Sequence, residues 1–104
     1  MPIDFKFRNF EPSEAIKNHT VDKLDKIQKL LEGPVDAQVV FSVERHLHCV
    51  DVHLHDSGEH YQGREEQEDM YASIDLVIDK LLRQLTRAKD QHHNHRRGPR
   101  ATEG

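Results

Sequence analysis

The chain has 104 residues, of which 33% are charged and 35% hydrophobic, and its mean hydropathy is −0.86. A chain of this length is expected to form one domain around one modest core. No apolar run reaches the roughly 18 residues that a membrane-spanning helix needs, the first residues lack the apolar segment of a secretory signal, and the single cysteine excludes an internal disulfide. We therefore expect a cytoplasmic protein with no membrane partner.

Charge is distributed unevenly along the chain, although the net charge is only −4. Residues 44–79 contain two Lys/Arg and ten Asp/Glu, whereas residues 80–104 contain seven Lys/Arg and two Asp/Glu. A basic C-terminal end next to an acidic middle indicates an anionic partner for the basic end. The alternative is a basic tail that serves only solubility.

The N-terminal third of the chain predicts a strand followed by a helix. Residues 3–8 alternate apolar and charged side chains, which is the period of a strand with one buried face. Ser13 is placed to cap a helix. Apolar side chains then recur at helical spacing over residues 16–31, until Gly33 and Pro34 end the pattern.

Three further strands and a long helix are predicted in the rest of the chain. Alternating segments over residues 37–44 and 48–55 predict the second and third strands, and a weaker pattern over residues 60–65 predicts the fourth. Apolar residues at helical spacing predict a second helix over residues 69–89. Residues 91–104 contain alanine as their only apolar residue, so we expect a mobile, basic, His-rich tail there.

The predicted order is β-α-β-β-β-α, within a single domain of residues 1–90. A strand, a helix and a second strand favour a parallel pair with a right-handed crossover. The short links between the last three strands favour an antiparallel meander. We therefore expect an α+β fold in which both helices pack on one face of a four-stranded sheet.

Histidine and cysteine supply the candidates for metal binding or catalysis. His53 and His55 share one predicted strand and His60 lies across the hairpin, so the three imidazoles are candidates for a zinc or nickel site. No Cys-His or Glu-His spacing signature accompanies them, and the simpler interpretation is solvated strand histidines. Cys49 lies in the middle of a predicted strand with no obvious oxyanion loop, and a catalytic thiol needs a lowered pKa and a base held in place, so a plain strand cysteine is the simpler interpretation. We expect no catalytic site, no metal, no cofactor and no small-molecule substrate.

Basic residues follow each predicted helix at helical spacing. The first basic row consists of Lys23, Lys26 and Lys29, and the second of Lys80, Arg83 and Arg87, with Lys89 continuing the second row. If the helices lie side by side, the two rows form one cationic surface that can neutralise RNA phosphates. The alternative is a salt-bridged, solvated face, because acidic residues lie close to both rows: Asp22, Asp25, Asp75 and Asp79.

Residues 68–90, EDMYASIDLVIDKLLRQLTRAKD, resemble the second helix of the ribosome hibernation promoting factor family, also called ribosome-associated inhibitor A or ribosomal-subunit-interface proteins. The first helix, with VDKLDKIQKL, also resembles that family. The resemblance implies a fold similar to double-stranded-RNA-binding domains and a cytoplasmic, non-enzymatic protein. It implies binding to the 16S rRNA of the small ribosomal subunit, within the 70S ribosome, at the channel that tRNA and mRNA occupy, under stress or in stationary phase.

The same resemblance assigns rRNA contact to the basic residues of both helices, namely Lys23, Lys26, Lys29, Lys80, Arg83, Arg87 and Lys89. Glu65 and Glu66 depart from the family pattern, which leads us to expect smaller residues there. A second functional hypothesis is a regulatory module that binds another protein through the acidic segment 44–79. A metal-dependent function through the three histidines is the third.

Overall fold

Four strands and two helices form the fold of the chain. They are β1 (Ile3–Arg8), α1 (Glu14–Leu30), β2 (Val35–Glu44), β3 (Leu47–Asp56), β4 (Glu59–Gln67) and α2 (Met70–Arg96). This computed structural model describes residues 1–31 and 33–96, and side chains as far as residue 88. The predicted order β-α-β-β-β-α is confirmed.

The strands lie in the order β1-β2-β3-β4. β1 pairs with β2 in parallel, as the helical crossover between them requires, and β2, β3 and β4 form an antiparallel meander. Ser57 and Gly58 link β3 to β4 with φ angles of 51° and 86°. Two successive positive φ angles are those of a type I′ turn, whose twist matches that of the flanking strands.

The core lies between the two helices and one face of the sheet. α1 buries the apolar face that its residue spacing predicts, and Ser13 caps the helix by accepting a hydrogen bond from the backbone N–H of Ile16. α2 contributes a longer buried stripe, and β2 and β3 contribute alternate residues. The largest fully buried side chains include Phe41, Leu24, Ile27, Leu54, Ile74, Ile78, Leu81 and Leu85.

Gly63 lets α2 lie close to β4. A Cβ atom added at Gly63 would stand 3.0 Å from Cγ2 of Val77 and 3.3 Å from Cγ of Leu81. Even a methyl group there would require the side chains of Val77 and Leu81 to shift by a few tenths of an ångström. Gly63 therefore permits the close approach of α2 to β4.

Two details differ from the sequence-based expectations. Val21, which lies within the apolar stripe predicted over residues 16–31, is 36% exposed. The second helix ends at Arg96 rather than Lys89, so residues 91–96 of the predicted tail are helical. Residues 97–104, the rest of that tail, lie outside the described residues.

Candidate nucleic-acid interface

The two helices contact each other through a carboxylate of α2. The imidazole Nε2 of His19 donates a hydrogen bond to Oδ1 of Asp75 over 2.8 Å, and the Lys23 ammonium lies 3.8 Å from the same oxygen. The His19 ring also meets Tyr71 edge to face, with 5.0 Å between the ring centroids. α1 and α2 therefore lie side by side, as a merged cationic surface requires, and Lys23 sits at their junction, paired with an acid.

Lys80 lies on a different side of α2 from Asp75. The two residues are five positions apart, which places them about 140° apart around the helix. The Lys80 ammonium contacts Oε2 of Glu65 at 2.7 Å and donates to the backbone carbonyl of Arg64 at 3.0 Å. Lys80 is therefore held against β4 instead of projecting beside α1.

One turn later on α2, Gln84 makes a similar contact with the backbone of β4. Its Nε2 donates to the backbone carbonyl of Gln62 over 2.9 Å. β4 is an edge strand, and edge strands present unpaired backbone groups that favour association with other chains. Lys80 and Gln84 together occupy two of these carbonyl groups, and the sequence analysis assigned neither residue this role.

Four members of the basic rows are exposed and have no ion-pair partner among the described side chains. We call them the free cations: Lys26, Lys29, Arg83 and Arg87. The two arginines, with Leu82 and Thr86, line an open cavity of about 390 Å³ on α2. Lys89 lies in α2, but its side chain is outside the described part of the chain.

The acidic residues near the rows form few close ion pairs with them in the described part of the chain. Of the four acids that suggested a salt-bridged face, Asp75 alone forms an ion pair with a basic-row residue within the described residues. Asp22, Asp25 and Asp79 are exposed. The helix surface thus carries exposed cations and exposed carboxylates that are not held in close ion pairs with one another.

The open sheet face, meaning the face away from the helices, carries His53 and His55 of β3 and His60 of β4. A hydrogen bond joins Nδ1 of His53 to Nε2 of His60 over 3.0 Å. The rings are 9° from parallel with centroids 5.2 Å apart, so the bond lies close to the plane of both rings. Asp51 Oδ1 contacts His53 Nε2 at 3.3 Å, and His55 stacks on His60 with centroids 4.7 Å apart.

These contacts give the metal hypothesis no support. Both ring nitrogens of His53 and Nε2 of His60 are engaged with one another or with the Asp51 carboxylate. Across residues 1–31 and 33–88, no group of three or more His, Cys, Asp or Glu side chains is arranged to hold an ion. We interpret the histidines as part of a hydrogen-bonded surface of the sheet.

Cys49 lies next to Arg64 on the open sheet face. The thiol is 8% exposed, and Arg64 pairs with Glu66 at 3.1 Å. The pKa of the Arg64 guanidinium is raised above its ordinary value, first by Cys49 and then by Glu66, because both groups favour its charged form. Among the described residues, no hydrogen bond joins a histidine ring to this sulfur.

The acidic segment 44–79 does not form one surface. Strand alternation divides its carboxylates between the layers, since Glu66 and Asp51 lie on the open sheet face whereas Glu65 and Asp75 contact basic residues of the helices. Several of these carboxylates are thus paired within the protein. The structure adds no observation in favour of a protein-binding site built from this segment.

Comparison with known proteins shows the family. Residues 3–93 match the family model described as "Sigma 54 modulation protein / S30EA ribosomal protein". The chain belongs to this family. It is 38% identical over 95 residues to the ribosome hibernation promoting factor of Salmonella typhimurium. The aligned region covers 91% of this chain and 100% of that relative. The family resemblance seen in the second helix is thereby confirmed.

Two solved structures share the fold of this chain. The N-terminal domain of Thermus thermophilus Protein Y superposes with a TM-score of 0.78 at 28% identity, covering 84% of this chain and 98% of that one. A ribosomal subunit interface protein from Coxiella burnetii has the same fold, with a TM-score of 0.77 at 24% identity over 86% of this chain and 99% of that one. No described helix is long and apolar enough to cross a membrane.

Proposed function

We propose that this protein is a ribosome hibernation factor that binds the small ribosomal subunit through 16S rRNA and inhibits translation in the 70S ribosome. The free cations on the paired helices are the observation that carries this proposal. Family membership supplies the ribosome as partner, because relatives at up to 38% identity are named for hibernation.

Electrostatics explains why these cations suit rRNA. Each lysine or arginine that neutralises a phosphate releases condensed counterions, and the entropy gained favours binding without reading base sequence. Shape then provides selectivity for a structured RNA. The proposed contact residues are Lys23, Lys26, Lys29, Lys80, Arg83, Arg87 and Lys89.

In this proposal, the bound protein inhibits translation by steric exclusion and without catalysis. α2 has 27 residues and is about 40 Å long at 1.5 Å per residue. Packed on a four-stranded sheet, it makes a rigid body. Placed in the decoding channel, this body excludes tRNA and mRNA during stress or stationary phase. The protein acts without a cofactor in this proposal.

Charge reversal at two free cations tests the proposal. We expect Arg83→Glu with Arg87→Glu to abolish co-sedimentation with small ribosomal subunits at moderate salt, since each change replaces an attraction to phosphate with a repulsion. The matched control is Lys6→Glu with Arg8→Glu, which alters the charge equally on the open sheet face. Circular dichroism establishes that both variants fold. Full binding by the helix variant, or equal losses in both, would refute the contact surface.

A further inference from the structure

Glu65 neutralises one of the proposed rRNA contacts from within the protein. Its carboxylate stands 2.7 Å from the Lys80 ammonium, and the side chains are 22% and 44% exposed, respectively. The ammonium also donates to the carbonyl of Arg64. Lys80 is thus fixed by two acceptors of β4, whereas the free cations have no ion-pair partner among the described side chains.

An ammonium with a fixed carboxylate partner binds RNA differently from a free one. A phosphate must displace Glu65 to take up Lys80, so the gain from the new contact is offset by loss of the old one. If Glu65 remains paired with Lys80, the lysine neutralises no phosphate and releases no condensed counterion from the RNA. Partial burial reduces solvent screening of the pair, which makes displacement more costly than at a fully exposed site.

We propose that Glu65 determines the selectivity of the basic surface. With a simple RNA duplex, Lys80 stays paired with Glu65 at the edge of the sheet. Lys80 leaves Glu65 and contacts RNA only where folded rRNA brings several phosphates close together. This inference rests on the proposed rRNA contact of the helices.

The neighbouring glutamate provides a matched control. Glu65→Gln and Glu66→Gln each remove one negative charge from adjacent positions of β4, but on opposite faces of the strand. Glu66 pairs with Arg64 on the open sheet face. Any difference between the two variants therefore reports the local release of Lys80 and not the change in net charge.

The measurement is the salt dependence of binding to a generic RNA duplex of about 16 base pairs, the length that a double-stranded-RNA-binding module spans. The Glu65→Gln variant should make one more phosphate contact, through the released Lys80. Raising the salt from 50 to 200 mM should therefore reduce its affinity by a factor about threefold larger than for the wild type. Glu66→Gln should keep the wild-type dependence. Adding Lys80→Gln to Glu65→Gln should restore the wild-type dependence, which traces the effect to Lys80.

Binding to small ribosomal subunits is measured in parallel and separates this inference from the proposed function. Equal salt dependence of the Glu65 and Glu66 variants on the duplex overturns the role of Glu65, whether or not subunits are bound. A steeper dependence for Glu65→Gln together with no subunit binding by any variant shows that Glu65 withholds Lys80 from RNA, but it refutes the ribosome as partner and with it the proposed selectivity for rRNA. Selectivity itself requires that Glu65→Gln strengthen duplex binding by a larger factor than subunit binding, and the opposite order overturns it.

Discussion

The helix layer and the β3–β4 half of the open sheet face are both rich in ionisable side chains, yet they differ in how those side chains are paired. On the sheet, Gln62 donates to Asp51, which also contacts His53, and His53 is bonded to His60. On the helices, the free cations have no ion-pair partner among the described side chains. Internal pairing, more than the number of charges, distinguishes a surface available to an anionic partner from one that is already satisfied.

A substitution that forces the helix layer away from the sheet should have the largest effect on the stability of the protein. Gly63→Val places methyl groups where Val77 and Leu81 already pack, so we expect a loss of about 1–3 kcal/mol in the free energy of unfolding. Gln62→Val is the control, because its side chain points to the open sheet face and is exposed. Urea denaturation measures both. Equal stability of the two variants would show that the close approach of α2 to β4 is not needed.

We expect a smaller effect when charges are removed from the helix layer, and it should appear as a change in the salt dependence of binding that is absent when the open sheet face is altered. Lys26→Ala with Lys29→Ala removes two free cations, so the slope of log affinity against log salt for small ribosomal subunits should decrease by about 0.7–0.9 per residue. His53→Ala with His60→Ala alters the paired surface and should preserve the slope. Filter binding over a salt series measures it. A reduced slope in the histidine variant would contradict the difference between the surfaces.

Much of the fold was predictable because its signals are local. Alternation in residues 3–8 and 37–44 and the helical spacing of buried residues such as Ile74, Ile78 and Leu81 appear directly in the sequence. The end of α2 was placed too early because the apolar stripe stops at Leu85. The helix continues to Arg96 through polar residues, since no glycine or proline interrupts it before Gly98.

The pairing of the basic residues was not predictable from spacing. The row that groups Lys80 with Arg83 and Arg87 treats the three as equivalent, but β4 holds Lys80 through Glu65, a contact set by the packing of α2 on the sheet. Lys23 differs from Lys26 for the same reason, because α1 packs beside Asp75 of α2. Such pairs depend on tertiary structure, so sequence analysis identifies the charged residues but not which of them are available.

The orientation of the protein on the ribosome tests the central claim most directly. A cryo-EM map of small ribosomal subunits with the bound protein should place α1 and α2 against 16S rRNA in the decoding channel, with phosphate density next to Lys26, Lys29, Arg83 and Arg87. The open sheet face should point away from that RNA. A map in which the β3–β4 face contacts the RNA, or in which the protein lies outside the channel, would contradict the account.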